Sequence, residues 1–308
     1  MTDIYINDRK SRKGCMGLVI VLVILAMAAG VYLLQQRRGQ DPESVADNGG
    51  KTVPELAAAD EKRPTEDRAK PLSDDPRPEL LDKGRELKQQ GNLREAREIF
   101  FEVLEESSSR TVVNEAEELL GEIHIMLTFS PRPMPEKVEY TVQPGDTLGA
   151  LARRFNTTIE LIRESNRLQG TMIRTGDRMR ILQGEFMIEV SKSRNDLALY
   201  LNDRFFKRYP VGTGEYERTP EGEFKITERI PQPTWWSPEG RVIPYGHEDN
   251  VLGTHWLSID VPGYGLHGTW EPETVGYQSS AGCVRLHNDD IKELYTLVPV
   301  GTKVIIHE

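Results

Sequence analysis

Cysteine is almost absent: the 308-residue chain has two, Cys15 and Cys283. They are not in CxxC spacing, so a dithiol redox site has no second thiol to work with. An excess of positive charge is missing too. The formal net charge of −10 and an isoelectric point near 5.3 argue against nucleic acid as a partner. Compact metal-ligand spacing is lacking as well. His247, His255 and His287 stand apart from one another and a single nearby cysteine makes a poor zinc set, so no metal and no cofactor is expected.

Long apolar runs are scarce, with one exception. Met16–Leu34 is nineteen residues without a charge, enough at ~1.5 Å per residue to cross a ~30 Å hydrocarbon core. The run continues past the small residues of "AMAAG" and exceeds an ordinary signal-peptide core, so an uncleaved anchor over 16–34 is expected. Arg9, Lys10, Arg12 and Lys13 precede it, whereas only Arg37 and Arg38 follow before acidic residues begin. That asymmetry puts residues 1–15 in the cytoplasm and the bulk outside, as a single-pass cell-membrane protein with a periplasmic or extracytoplasmic body. Cys15 and Cys283 then lie on opposite sides, which excludes a disulfide between them.

Residues 35–78 are rich in Pro, Asp and Glu and nearly free of large apolar side chains, the composition of a disordered tether. Over 79–128 apolar positions return at helical spacing and Gly91-Asn92 interrupts them, which predicts a helical hairpin and a third helix. Gly84, Leu87, Gly91, Ala96 and Phe100 resemble one tetratricopeptide unit. A single unit lacks the stacked neighbours such repeats need, so the segment is either a helical spacer packing on the next domain or a surface for a protein partner.

After the Pro-rich joint "SPRPMPEK", residues 138–183 follow the order strand, helix, helix, strand. Leu148, Leu151, Ala152 and Phe155 form a one-faced helix capped near Asp146-Thr147, and Thr157 with Glu160 makes a capping box for the next. "YTVQPGDTL", "LARRF", "ESNRL" and "IRTGDRMRI" resemble a LysM domain, a small α+β (βααβ) module. The resemblance implies binding to N-acetylglucosamine-containing glycan, chiefly peptidoglycan or chitin. It places Gly145, Asp146, Thr147, Ile173 and Arg174 along the glycan groove.

Residues 186–308 turn to strand-like runs around an Asn202-Asp203 turn, with Gly and Pro recurring and one helix after Asn288, so a mostly β domain is expected. His267 in "GYGLHGTW" lies sixteen residues before Cys283 in "SSAGCVRL". A thiol needs a nearby base or cation to become a nucleophile, and Gly268 and Gly282 beside the pair allow close backbone approach. Trp235, Trp236 and Trp270 either wall a cleft or fill the core, the core being the commoner place for aromatics.

Six ordered blocks, from "ALYLNDRFFKRYPVGTG" through "TPEGEF", "NVLGTHWLSID", "GYGLHGT" and "SAGCVRL" to "LVPVGTKVII", resemble the L,D-transpeptidase catalytic domain, the YkuD family. The resemblance implies 3-3 cross-linking of peptidoglycan stem peptides through a thioester. By it Cys283 is the nucleophile, His267 the general base and acid, Gly268 the carbonyl that orients the histidine, and Gly282 a backbone oxyanion donor. Arg285 holds a substrate carboxylate or the geometry of the site, and Ser280 and His255 contact substrate. Many members have His where this chain has Ala281. The expected whole is multidomain: a transmembrane helix, a tetratricopeptide-like helical segment, a LysM domain and a mostly β catalytic domain. Its partners are peptidoglycan glycan strands and stem peptides, the membrane through one N-terminal helix, a protein at the helical segment, and no nucleic acid. An L,D-carboxypeptidase, an enzyme attaching proteins to the wall, and a non-enzymatic wall-binding adaptor are the alternatives.

Overall fold

The computed structural model describes residues 77–308. The expected cytoplasmic tail, Cys15, the anchor at 16–34 and nearly all of the tether lie outside the described residues. Among the described residues no helix is long and apolar enough to cross a membrane.

Three helices come first: α1 (Arg77–Gln89), α2 (Leu93–Glu106) and α3 (Arg110–Thr128). The break falls at Gly91, whose φ of 80° suits glycine, and Asn92 N–H donates back to Leu87 O at 2.9 Å. Next comes the βααβ unit of β1 (Lys137–Thr141), α4 (Leu148–Arg154), α5 (Ile159–Ser165) and β2 (Arg178–Leu182), with β1 and β2 antiparallel and Tyr140 opposite Met179. Thr147 caps α4 by accepting from Ala150 N–H at 3.1 Å. The second cap differs from the sequence expectation. Thr158 accepts from Leu161 N–H at 2.9 Å, one residue later than Thr157, so Glu160 is too early in the helix for a capping box and instead pairs with Arg229 at 3.0 Å.

The C-terminal domain contains β3 (Phe186–Ser191), β4 (Asp196–Leu201), β5 (Arg204–Pro210), β6 (Thr213–Gly214), β7 (Gly222–Pro231), β8 (Trp235–Trp236) and β9 (Val242–Ile243). They are followed by β10 (His255–Ile259), β11 (Gly265–His267), β12 (Gln278–Ser280), β13 (Val284–Arg285), α6 (Asn288–Leu297) and β14 (Lys303–His307). Asn202 and Asp203 both have positive φ, 51° and 61°, as a tight hairpin between β4 and β5 requires. Eight strands form one mixed sheet in the order β13-β11-β10-β7-β14-β3-β4-β5. Long β7 joins its halves: residues 222–225 pair with β14, and 226–231 pair with β10 across an irregularity at Ser258/Ile259.

The sheet supplies what a lone helical unit lacks. Phe100, Phe101, Leu120, Ile123 and Leu127 are buried in one core with Ile188, Leu199 and Phe206, so α2 and α3 cover the β5 edge and need no stacked repeat. This packing fits the spacer reading of the segment. The LysM-like unit keeps a small core of its own around Leu148, Leu151, Ile162 and Met179, yet Leu161 of α5 points into the large one. Thr158 Oγ1 also donates to Thr296 O of α6.

A buried polar cluster sutures the helices to β5. Arg97 Nε donates to His124 Nε2 at 2.8 Å, which leaves His124 Nδ1 as the donor to Phe206 O at 2.7 Å. Burial, reinforced by the Arg97 charge, lowers the His124 pKa to about 3. The unfolded chain, with an ordinary value near ~6.5, therefore takes this proton first as the pH falls. The stability this histidine contributes is complete above that pH and declines toward pH 3, by ~1.4 kcal/mol per pH unit for one proton. Urea denaturation between pH 7 and pH 5 should show the decline, and His124→Gln should make it shallower, the remaining slope coming from the other histidine with a strongly lowered pKa, His267.

Candidate active site

The register of three short pairings builds the site. Across β10, β11 and β13, Trp256 lies opposite His267 and His267 opposite Arg285, while the adjacent rank is Leu257, Leu266 and Val284. Side chains alternate along a strand, so the two ranks face opposite ways. The Leu257 rank is buried with Ile291 and Leu294 of α6 and holds the strands in place. The other face carries Trp256, His267 and Arg285, and Cys283 sits in the bend just before β13, close enough for the Arg285 charge to act on it.

His267 is 3% exposed, and its Nδ1–H donates to Gly268 O at 2.6 Å, as expected for Gly268. A carbonyl can only accept, so Nε2 is left as the free acceptor. The Trp256 ring lies nearly parallel to the imidazole at 5.7 Å. Burial lowers the His267 pKa to about 4, opposed by the Gly268 bond and aided by the Arg285 charge. Burial pushes the half-buried Cys283 thiol up, with the backbone at Gly265 and the Arg285 charge pulling part of the way back. The resting pair is thus a thiol with a neutral base, so the proton must leave as the sulfur attacks.

The turn before Cys283 departs from expectation. Ser280 is buried: its hydroxyl donates to Cys283 O at 2.7 Å and accepts from Gly282 N–H at 3.1 Å. Its one proton and one of its two lone pairs are spent on the turn, so the buried Ser280 braces the turn where a substrate contact was expected. The Gly282 N–H is thereby engaged, whereas the Cys283 N–H has no acceptor among the described residues. Gly282 has φ of 137°, and a Cβ there would stand 2.8 Å from the Tyr264 ring and 3.1 Å from Arg218 O, so the position excludes any side chain. Ala281 is exposed. Arg285 exchanges backbone hydrogen bonds with Gly212 at 2.8 and 2.9 Å, and its Nη1 lies 3.3 Å from Thr274 Oγ1 and 3.5 Å from Glu271 Oε2.

His255 is not in the cleft. It precedes Trp256 on β10 and so points to the opposite face, where its ring lies 4.6 Å from Tyr295 and Nδ1 lies 3.0 Å from Thr254 Oγ1. Trp236 and Trp270 are not core residues either, being 72% and 51% exposed. The β8–β9 hairpin that carries Trp235 and Trp236 is too short to bury them, and buried Asn250 ties its base to Pro233 O and Ile243 O, both at 3.0 Å. Trp256 and Tyr264 escaped the sequence reading; the alternation of "HWLSI" was the available clue for the first.

In the LysM-like unit the loop with Gly145, Asp146 and Thr147 and the loop with Ile173 and Arg174 share one end, joined by Val142 N–H to Asp177 O and Gly176 N–H to Val142 O, both 2.9 Å. Asp146 accepts from Gln143 N–H and Tyr140 Oη, which holds its carboxyl below the usual range. Gly145 and Arg174 are exposed, and Ile173 packs on the small core.

Comparison with known proteins identifies the two modules. Residues 185–306 match the L,D-transpeptidase catalytic domain and residues 140–182 the LysM domain, so the C-terminal module is an enzyme domain of that class. YkuD of Bacillus licheniformis, named for L,D-transpeptidase activity, is 36% identical over 176 residues, covering 54% of this chain and 97% of its own. YkuD of Bacillus subtilis is 34% identical over 177 residues, covering 54% and 98%. A solved "L,D-transpeptidase from Mycobacterium smegmatis" is 18% identical with a TM-score of 0.35, over 43% of this chain and 64% of that one. The chain belongs to the L,D-transpeptidase (YkuD) family.

The electrostatics give a direct check. A raised thiol pKa predicts slower iodoacetamide alkylation of Cys283 between pH 7 and pH 9 than of a free cysteine peptide. Arg285→Gln removes the charge that favours the thiolate and should slow alkylation further, read by intact-mass kinetics.

Proposed function

We propose that this protein is a peptidoglycan L,D-transpeptidase that forms 3-3 cross-links through a Cys283 thioester, held on the wall by its LysM domain. One observation supports this reading: the sheet register pairs His267 with Arg285 directly after the bend that carries Cys283, with the imidazole held by Gly268 so that Nε2 is free. Cys283 Sγ attacks the carbonyl between the diamino acid and the terminal D-alanine of a tetrapeptide stem, and His267 Nε2 takes the thiol proton. Negative charge on the carbonyl oxygen is met by the Cys283 N–H, since Ser280 already engages that of Gly282. The C–N bond breaks and the proton on His267 passes to the departing amine, leaving the thioester. The side-chain amine of a second stem's diamino acid then attacks, loses its proton to His267, and restores the thiol.

Arg285 stays close enough to stabilise charge at the sulfur, and its partners Thr274 and Glu271 hold it there. Gly145, Asp146, Thr147, Ile173 and Arg174 form the end of the LysM domain offered to glycan. Asp146 Oδ2 and Thr147 Oγ1 shape the loop as acceptors, which leaves Asp146 Oδ1 and the Thr147 hydroxyl proton for the sugar. The apolar run at 16–34 anchors the chain in the cell membrane with the catalytic domain on the extracytoplasmic side.

Incubating the full chain with tetrapeptide muropeptides should yield 3-3 cross-linked dimers by mass spectrometry, and Cys283→Ala should yield none. Tripeptide stems alone would reassign the reaction to hydrolysis, and no change in either stem would leave a wall-binding adaptor.

A further inference from the structure

Asn288 opens α6 outside the sheet, yet its side-chain amide lies in the turn that follows the catalytic histidine. Nδ2 donates to Thr269 O at 2.8 Å and Oδ1 accepts from Thr254 N–H at 3.0 Å, while its own carbonyl accepts from Thr254 Oγ1 at 3.3 Å. Two glycines make room for it. A Cβ on Gly268 would lie 2.1 Å from Asn288 Oδ1, and one on Gly253 would lie 2.3 Å from the same atom. Such clearance means Oδ1 is packed closely between two backbone segments, each tied to the amide by a hydrogen bond.

Those segments end on the peptide that orients the base. Gly268 O receives Nδ1–H of His267, and the next carbonyl along the chain, that of Thr269, is the one Asn288 holds. The Gly268 N–H meanwhile donates to His255 O at 3.3 Å. The Thr269 carbonyl belongs to the next peptide, Thr269–Trp270, so holding it limits Gly268 O through the φ and ψ of Thr269, while the Asn288 bond to Thr254 N–H braces the segment packed against Gly268. Trp256 limits the ring from its face but offers Nδ1 no hydrogen bond, since its indole N–H goes to Ser258 Oγ at 2.6 Å.

We propose that Asn288 is a positioning residue for the transpeptidase reaction: its amide holds Thr269 O and Thr254 N–H on either side of Gly268, so that the Gly268 carbonyl stays on the ring, His267 keeps its proton on Nδ1 and Nε2 is presented to Cys283. The ring needs this because its two nitrogens are otherwise equivalent in chemistry, and the wrong tautomer would aim an N–H at a thiol whose proton has to be removed. Asn at this position supplies one donor and one acceptor on a planar group, which neither Asp nor Ala provides. The proposal rests on His267 being the base, so the test includes a readout independent of catalysis.

The full chain labelled with 15N-histidine gives the ring-nitrogen shifts directly, and His267→Gln identifies which signals belong to residue 267. Wild type should show a single Nδ1–H tautomer, whereas Asn288→Asp, which keeps the acceptor but cannot donate to Thr269 O, and Asn288→Ala should show a mixture. Acylation of Cys283 by meropenem, followed by intact mass, should slow at least tenfold in both variants while circular dichroism stays native. Retention of the pure Nδ1–H tautomer in the two variants would overturn the proposal, whatever happens to the rate. Should Asn288→Ala fail to fold, the near-isosteric Asn288→Asp decides. Failure of wild type to acylate would count against the enzymatic reading and leave the tautomer test intact.

Discussion

The parallel pairing of β13 with β11 is the contact on which the site depends. It is only two residues long, Leu266 with Val284 and His267 with Arg285. A slip of one residue would carry Arg285 to the α6 side and expose Leu266 or Val284. The two apolar residues prevent it, since both are at most 2% exposed and share a core with α6. Gly212 adds a backbone bridge to Arg285 from the other side. Hydrophobic burial on one face therefore fixes chemistry on the other, and polar residues alone would not hold so short a strand in register.

The same principle runs outward through the molecule. A sheet edge at β5 and a helical unit without stacked partners are each unstable arrangements when alone, and each is satisfied by the other. His124 marks the seam, with one ring nitrogen on Arg97 and the other on a carbonyl of the covered strand. The ion pair of Arg208 with Glu117, both contacts at 2.7 Å, lies along the same seam. On the far side, Arg229 of β7 reaches Glu160 of the LysM domain and Tyr295 O of α6, so the domain is fastened to the catalytic body by polar as well as apolar contacts.

Much of this was legible in the residues, for identifiable reasons. Helical spacing, the Gly91 break, the Asn202-Asp203 hairpin and the βααβ order are local patterns, and local backbone preferences produce them. His267 and Cys283 stood out because glycines flank them and a thiol needs a base. What stayed hidden depends on contacts far apart in sequence. His255 was misplaced by one position of strand alternation, and Ser280 looked available until the turn claimed its hydroxyl. The exposure of Trp236 follows from the shortness of β8 and β9, which composition does not reveal. Asn288 lies nineteen residues from the carbonyl it holds, so no window around His267 would have included it.

The two-sided character of α5 bears on how such a chain can be assembled and rearranged. Ile162 faces the LysM core while its neighbour Leu161 lies in the core of the body, and Thr158 spends its hydroxyl both on its helix and on α6. Cut away from the catalytic domain, the LysM unit would carry a newly wetted leucine. It is a module by sequence boundary but a shared part by packing. Exchange of this LysM domain for another would transfer a sugar-binding loop only if the recipient helix also presented an apolar residue at position 161, because recombination here is constrained by the joint more than by the groove.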